Sequence, residues 1–330
     1  MDVERAIAVC EELASYDVQR RNIGPLAART RGMLLAAARS IARHPAPRVG
    51  IITGFYLLHA EPPNCETDGP PGAAMLAAGL TAGDIPCRIA TDIHSADIVR
   101  AAVAAAGIED LVPVDIAGGG DGTGPGLPIA AIRRRWEAAE ARLSHVISIE
   151  RCGPSPDGRP RDARGVDISL RNAPLEQLYP GDWTTIGIGD LGNELGMGSL
   201  PYQLVAQSVR NGGLLWCTTP CDHPIVCGIS NWGAAALLAG VALLRPEVGR
   251  SALTYLQPSL SRRLLAAVHA RGAVANGADD APPAPRLFVD GQPWPVLKDF
   301  YRQLFEVCRQ ALPARPIAAA RLAAAPRGPL

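Results

Sequence analysis

Thr184-Thr-Ile-Gly-Ile-Gly-Asp190-Leu-Gly-Asn193-Glu194-Leu-Gly-Met-Gly198 is the stretch on which the reading of this chain turns. Residues 184–188 alternate β-branched side chains with glycine or a second polar residue, the pattern of a short strand. Gly187 and Gly189 fall on one face at period two, which predicts that another part of the molecule approaches the backbone closely there. The strand runs into a loop that spaces Asp190, Asn193 and Glu194 between glycines. Two carboxylates and an amide on such a loop can bind a metal, hold a proton or grip a polar substrate. The same residues also suit a solvated turn and a helix N-cap.

The strand-then-loop unit recurs along the chain. Apolar, β-branched runs at residues 49–55, 87–91, 111–116, 145–150 and 214–218 read as further strands. Helical patterns at about 70–80, 96–106, 129–143, 202–210 and 234–244 separate or follow them. Strands alternating with helices of this length imply βαβ units and right-handed crossovers. The predicted fold is α/β: a doubly wound, mainly parallel sheet with helices on both faces. Residues 1–48 read as a helical segment packed on a main domain of residues 49–312. Helices at 256–270 and 296–312, with a short strand at 287–289 and an Asp290-Gly291 turn, form a small C-terminal αβ extension. Residues 313–330, rich in Ala, Arg and Pro, read as a disordered tail. Ligands of such sheets bind beyond the carboxyl ends of the strands. The loops after Phe55, Ile116, Glu150, Ile188 and Thr218 should therefore converge on one site.

Composition narrows the function. The 330 residues carry a formal net charge of zero and are 48% hydrophobic, enough for a full core and without the basic excess of a nucleic-acid binder. Lys298 is the only lysine and lies in a helical pattern far from the glycine-rich loops, which argues against Schiff-base chemistry. The eight cysteines are scattered and follow no secretory signal, so they read as reduced thiols in a cytoplasmic protein. Cys217, Cys221 and Cys227 lack the spacing of a zinc site. The longest apolar run, residues 232–244, is too short to span a bilayer. The Gly118–Gly126 run holds enough glycines for a dinucleotide fingerprint, but Pro125 and Pro128 break its turn. There is no Gly-Lys-Ser/Thr phosphate loop and no Gly-x-Ser-x-Gly elbow. In the loop from Pro220, Asp222 and His223 can supply a base or metal ligands, and Ser230 or Asn231 can cap the helix that follows.

Several longer motifs stand in order along residues 50 to 305 or so. They are Glu61-Pro-Pro-Asn-Cys-Glu66-Thr-Asp68-Gly-Pro-Pro-Gly72-Ala, Ile147-Ser-Ile-Glu150-Arg151 and Arg164-Gly-Val-Asp167-Ile. The opening stretch, Gly228-Ile-Ser230-Asn231-Trp-Gly233 and Val289-Asp-Gly291 follow. Together they resemble the signatures of the D-glutamate cyclase family, in its C-terminal, catalytic-type domain. One departure is Arg161-Asp-Ala163, where the family pattern has an aromatic residue, Asn and Met.

The resemblance implies a lyase that interconverts D-glutamate and 5-oxo-D-proline with loss or gain of water. Its small amino-acid substrate needs neither nucleic acid nor membrane, and a homo-oligomer is compatible with it. The alternative is a relative with changed chemistry that binds a small acidic metabolite or acts on a related amino acid. Lactam formation requires an acid and a base on either side of the γ-carboxyl carbon, with pKa values pushed apart. Asp68, Asp190, Glu194 and Asp222 are the candidates. Arg151 and Arg164 have the planar fork that clamps a carboxylate. The motifs add Glu66, Thr67, Gly69 and Glu150 as candidate substrate contacts, and Asp167, Asn193, His223, Ser230 and Asn231 complete the set. No cofactor is demanded. Asp190, Glu194 and Asp222 offer hard oxygen donors that suit Mg²⁺ or Mn²⁺ rather than zinc; alternatively these carboxylates bind backbone amides and the substrate ammonium without any ion.

Overall fold

The computed structural model describes residues 1–118, 125–275 and 287–312. Three helices come first: α1 (Val3–Ala14), α2 (Gly24–Arg29) and α3 (Met33–Arg43). Strand β1 (Val49–Thr53) follows, then a two-residue hairpin, β2 (Tyr56–Leu57) and β3 (Asn64–Cys65). Next come α4 (Pro70–Thr81), β4 (Cys87–Asp92), α5 (Ala96–Ala106), β5 (Val114–Ala117), α6 (Ile129–Glu137) and β6 (His145–Ile149). An irregular excursion leads to β7 (Thr184–Gly189), α7 (Tyr202–Ser208), α8 (Gly212–Leu215) and β8 (His223–Val226). The chain closes with α9 (Ser230–Leu244), α10 (Pro246–Tyr255), α11 (Pro258–His269), the hairpin β9 (Phe288–Val289) and β10 (Gln292–Pro293), and α12 (Trp294–Ala311).

Six strands form one sheet in the order β5-β4-β1-β6-β7-β8, and every neighbouring pair is parallel. Counted along the chain, this is the 3-2-1-4-5-6 order of doubly wound sheets, whose order reverses beside the first strand. Alternate residues feed the two faces, as the period of a strand requires. Ile51, Ile89, Ile147 and Ile225 enter one apolar cluster. Ile52, Ala90, Val146 and Val226 enter the cluster on the other face. The α/β expectation therefore holds, with helices covering both faces.

Helices α4 and α9 are buried nearly all round, which is why neither shows an amphipathic stripe. Small residues bring them together: a Cβ on Gly72 would lie 2.7 Å from Asn231 Oδ1, and one on Gly79 2.4 Å from Leu238. Ala6, Ile7 and Cys10 of α1 and Leu34, Ala37, Ala38 and Ile41 of α3 are buried in the same cluster as α9. Among the described residues no helix is long and apolar enough to cross a membrane. Most of the Gly118–Gly126 run, most of the segment at 273–286 and the tail beyond 312 lie outside the described residues.

The last strand of the sheet differs from expectation. Residues 214–218 were the expected sixth strand, but Gly212–Leu215 form the short helix α8 and the sheet is completed by His223–Val226. This strand contains Pro224, which has no N–H for a ladder. It is tolerated because β8 is the edge strand, paired on one side only. The shift reverses the polarity of the neighbouring loops. Asp222 now precedes the last strand and His223 opens it, instead of both following it.

Candidate active site

The site lies at the carboxyl edge, beside the point where the strand order reverses. The opening stretch folds as its glycines demand. A Cβ on Gly187 would sit 2.7 Å from Leu195 O, and one on Gly189 2.6 Å from the Glu194 carboxyl. The loop after β7 thus doubles back over its own strand. Glu194 holds that loop, accepting the backbone N–H groups of Asp190 and Leu191 at 2.8 Å and of Gly192 at 2.7 Å. Burial and the charge of Asp190 push the Glu194 carboxyl up to about 7 against those donors.

Two helix N-termini are capped across each other. Asp68 accepts from Ser230 N and Asn231 N at the start of α9, both at 2.7 Å. In return, Asn231 Oδ1 accepts from Gly69 N at 3.1 Å and Gly72 N at 2.6 Å at the start of α4. Such side-chain caps satisfy orphan backbone donors and place negative charge where the helix dipole favours it. Asn231 Nδ2 also donates to Thr67 O at 3.0 Å. Burial, then Asp190, raise the Asp68 carboxyl to about 7, against the opposing pull of its three backbone donors.

Glu150 stands at the end of β6 in a left-handed conformation, φ 45°, uncommon for a residue with a side chain. It accepts from Ser230 Oγ at 2.5 Å. Glu66 joins it from the segment after the β2–β3 hairpin, and Asp190 from the end of β7. Asp68, Glu150 and Asp190 each bring one carboxylate oxygen to within 4.8 Å of the others. Glu66, Glu150, Asp190 and Asn193 line one cleft with Phe55, Leu57, Leu191, Arg21 and Asp290.

Arg21 and Asp290 were not singled out as site residues from the sequence, and Gln19 was missed with them. Arg21 Nη1 donates to Asp190 Oδ2 at 2.8 Å, and Arg21 Nη2 lies 3.9 Å from Asp290. Gln19 Nε2 donates to Asp190 Oδ2 at 2.8 Å, Gly228 O at 2.7 Å and Asp290 Oδ2 at 3.0 Å. The only signal was a polar break, Asp17-Val-Gln-Arg-Arg-Asn22, between two helical patterns. Asp290-Gly291 does form the turn, with φ 49° and 70°. The turn carries its carboxylate into the cleft.

Four buried carboxylates, Glu66, Glu150, Asp190 and Asp290, therefore line the cleft with one arginine, and buried Asp68 stands beside Glu150 and Asp190. Burial raises Glu66, Glu150 and Asp290 well above the ordinary carboxylate range, and neighbouring carboxylates add to it. Burial opposes the Arg21 charge, but Asp190, Asp290, Glu150 and Glu66 outweigh it and hold its proton more tightly than usual.

Other expected site residues lie elsewhere. Asp222 accepts from Thr185 N and Oγ1 at 2.8 Å, at the amino edge of the sheet. Four residues of β7 lie between Thr185 and Asp190, so five residue steps, about 16 Å of strand, separate the two. His223, paired with Ile186, sits at the same edge, so neither it nor Asp222 joins Asp190 as an acid, base or metal ligand. Arg151 is fully buried and donates to Asp92 Oδ2 at 2.6 Å, Gly54 O at 2.8 Å and Ala173 O at 2.6 Å. It secures the sheet edge and does not line the cleft. Arg164 is exposed on the excursion between β6 and β7, and Asp167 there accepts from Ser169 and pairs with Arg159 at 3.3 Å. Asn193 lines the cleft while donating to Arg161 O at 2.8 Å.

Residues 10–305 match a family described as D-glutamate cyclase-like, C-terminal. Over 256 residues the chain is 32% identical to the human protein named D-glutamate cyclase, mitochondrial, covering 74% of this chain and 40% of that protein. The chain thus spans well under half the length of that relative. The match takes in Gln19, Arg21 and Asp290 together with every strand of the sheet, and on it the chain belongs to the D-glutamate cyclase-like, C-terminal family.

Proposed function

We propose that this protein is a lyase that interconverts D-glutamate and 5-oxo-D-proline. The observation that carries the reading is the ring of buried carboxylates around Arg21 at the carboxyl edge of the sheet. Membership of the family and the name of the human relative support it.

The reaction is mainly a matter of moving protons. Closing the lactam forms the bond between the amine nitrogen and the γ-carboxyl carbon, Cδ, and breaks a C–O bond at that same carbon. The ammonium gives up two protons, and the departing oxygen takes both and leaves as water. Hydrolysis runs the same steps backwards. Carboxyl groups that titrate near neutrality can carry these protons in either direction. Asp68 is pushed up to about 7, and Glu66 and Glu150 are raised by the same burial. In this reading they take protons from the amine and deliver them to the oxygen. Arg21, one-fifth exposed at the cleft, takes the α-carboxylate, since an anionic substrate needs a cation among so many carboxylates. Glu194 shapes the loop that presents Asp190.

The test is direct. The purified protein is incubated with D-glutamate, and separately with 5-oxo-D-proline, from about pH 6 to about pH 9, with and without Mg²⁺ or Mn²⁺. Chiral chromatography follows both compounds and their L enantiomers. Conversion of the D compounds that is lost in Asp190→Ala is the expected result. If no compound is converted under any condition, the alternative stands: a protein that binds an acidic metabolite without transforming it.

A further inference from the structure

We propose that Asp68, Glu150 and Asp190 bind a divalent cation of the hard, oxygen-preferring class, Mg²⁺ or Mn²⁺, with Glu66 as a fourth carboxylate at its edge. Three oxygens no more than 4.8 Å apart enclose a centre at most about 2.8 Å from each of them. Small side-chain rotations bring that to the distance of 2.0–2.1 Å or so that Mg²⁺ prefers. The three residues come from three different loops and are all at least nine-tenths buried.

A second observation points to the ion independently of the trio. Glu66 is 3% exposed and lines the same cleft, yet its Oε1 has no hydrogen-bond partner among the described residues. A buried carboxylate oxygen without a donor is costly, and a cation relieves it. An ion held here takes the place of protons on Asp68 and Glu150, so those two carry the reaction's protons only in the ion-free site; the local charge agrees. Among the described residues Arg21 is the only cation lining the cleft, and it already pairs with Asp190.

The ligands are also oriented as metal ligands usually are, by partners behind them. Ser230 serves two of them, through its N–H to Asp68 and its hydroxyl to Glu150. Gln19 and Arg21 serve the third, both on Asp190 Oδ2. The donor set has no imidazole and no thiolate, which disfavours zinc. Three or four protein oxygens leave places for water or substrate, a sparse coordination that suits Mg²⁺ or Mn²⁺ better than Ca²⁺ with its six to eight or so ligands.

The experiment reads binding, so it does not depend on the proposed reaction. Protein stripped with a chelator is titrated with Mn²⁺, and free Mn²⁺ is followed by electron paramagnetic resonance. One ion per chain, displaced by Mg²⁺, is expected. Glu150→Gln should weaken binding at least tenfold or so, the scale of a lost metal contact. Asp222→Asn should bind as the wild type does, because its carboxylate is at the other edge. Circular dichroism confirms that each variant is folded, and Glu66→Gln provides a second variant if Glu150→Gln is not. Folded wild type that binds no Mn²⁺, or undiminished binding by both Glu150→Gln and Glu66→Gln, would overturn the proposal. Conversion of D-glutamate by protein that binds no Mn²⁺ overturns the ion and leaves the reaction standing; binding without conversion does the reverse.

Discussion

Replacing Arg151 with methionine removes a guanidinium that is buried to within 1% and holds three oxygens. The new side chain fills similar space, so the cost is electrostatic. Asp92 loses its ionic partner at 2.6 Å, and breaking a buried pair from one side costs about 3–5 kcal/mol. Asp92 keeps backbone donors from His94 and Ser95, both at 3.1 Å, which favours the lower part of that range. Gly54 O and Ala173 O are left without this donor, each worth about 1 kcal/mol or more when buried. These effects share one side chain and do not simply add. The expected loss is about 4 kcal/mol, read from urea unfolding followed by tryptophan fluorescence. Arg151→Met combined with Asp92→Leu, which removes both charges, should recover more than half of it. The folded Arg151→Met protein should bind substrate with nearly unchanged KM, because Arg151 does not line the cleft. A variant of wild-type stability with a strongly raised KM would refute this reasoning and make Arg151 a substrate clamp after all.

Three further outcomes follow from the same geometry. Asp222→Asn should keep turnover within about twofold and cost at most about 1 kcal/mol, since its bonds to Thr185 are exposed to solvent; loss of turnover in a kinetic assay would move the active edge to the other end of the sheet. Arg21→Gln should raise KM for D-glutamate about 30-fold, the equivalent of about 2 kcal/mol for a lost charged hydrogen bond; a fall in kcat alone would show that Arg21 serves the carboxylates and not the substrate. Burial, then His44 and His223, lower His145 to about 4, so the folded state resists its protonation. Its contribution is complete above the ordinary value near 6.5 and is lost as pH falls towards 4. Wild type should therefore lose about 2 kcal/mol more than His145→Gln between about pH 7.5 and about pH 5 in urea melts, and parallel losses would rule the effect out.

The sheet was legible because most of its strands are buried on both faces and so read as apolar runs, as at residues 49–53 and 145–149. The last strand was not, because Pro224 interrupts it and the apolar Leu214-Leu-Trp-Cys217 nearby offered a better pattern. Edge position, which excuses the proline, is a property of the whole sheet. That single slip carried Asp222 and His223 to the wrong end. Asp68, Glu150 and Asp190 were legible as carboxylates on or beside glycine-bearing loops after strands. Arg151 has the right chemistry for a clamp, but nothing local to it reveals that Asp92, fifty-nine positions earlier, neutralises it. Arg21 had no motif around it at all.

Gln19 joins Asp190 and Asp290 through one nitrogen, across 171 and 271 positions of chain. Contacts of that span are slow to form, since long loops must close before they are rewarded. The site is accordingly expected to be among the last features a folding chain acquires. Until both outer segments have docked, its carboxylates are ordinary acids in water, with ordinary affinities for protons and none of the mutual crowding that shifts them. A truncated or half-folded molecule could carry a sound sheet and every motif of the central region and still be chemically inert. Refolding followed by fluorescence and by turnover should show this as a lag, with the signal of the core returning before the activity does.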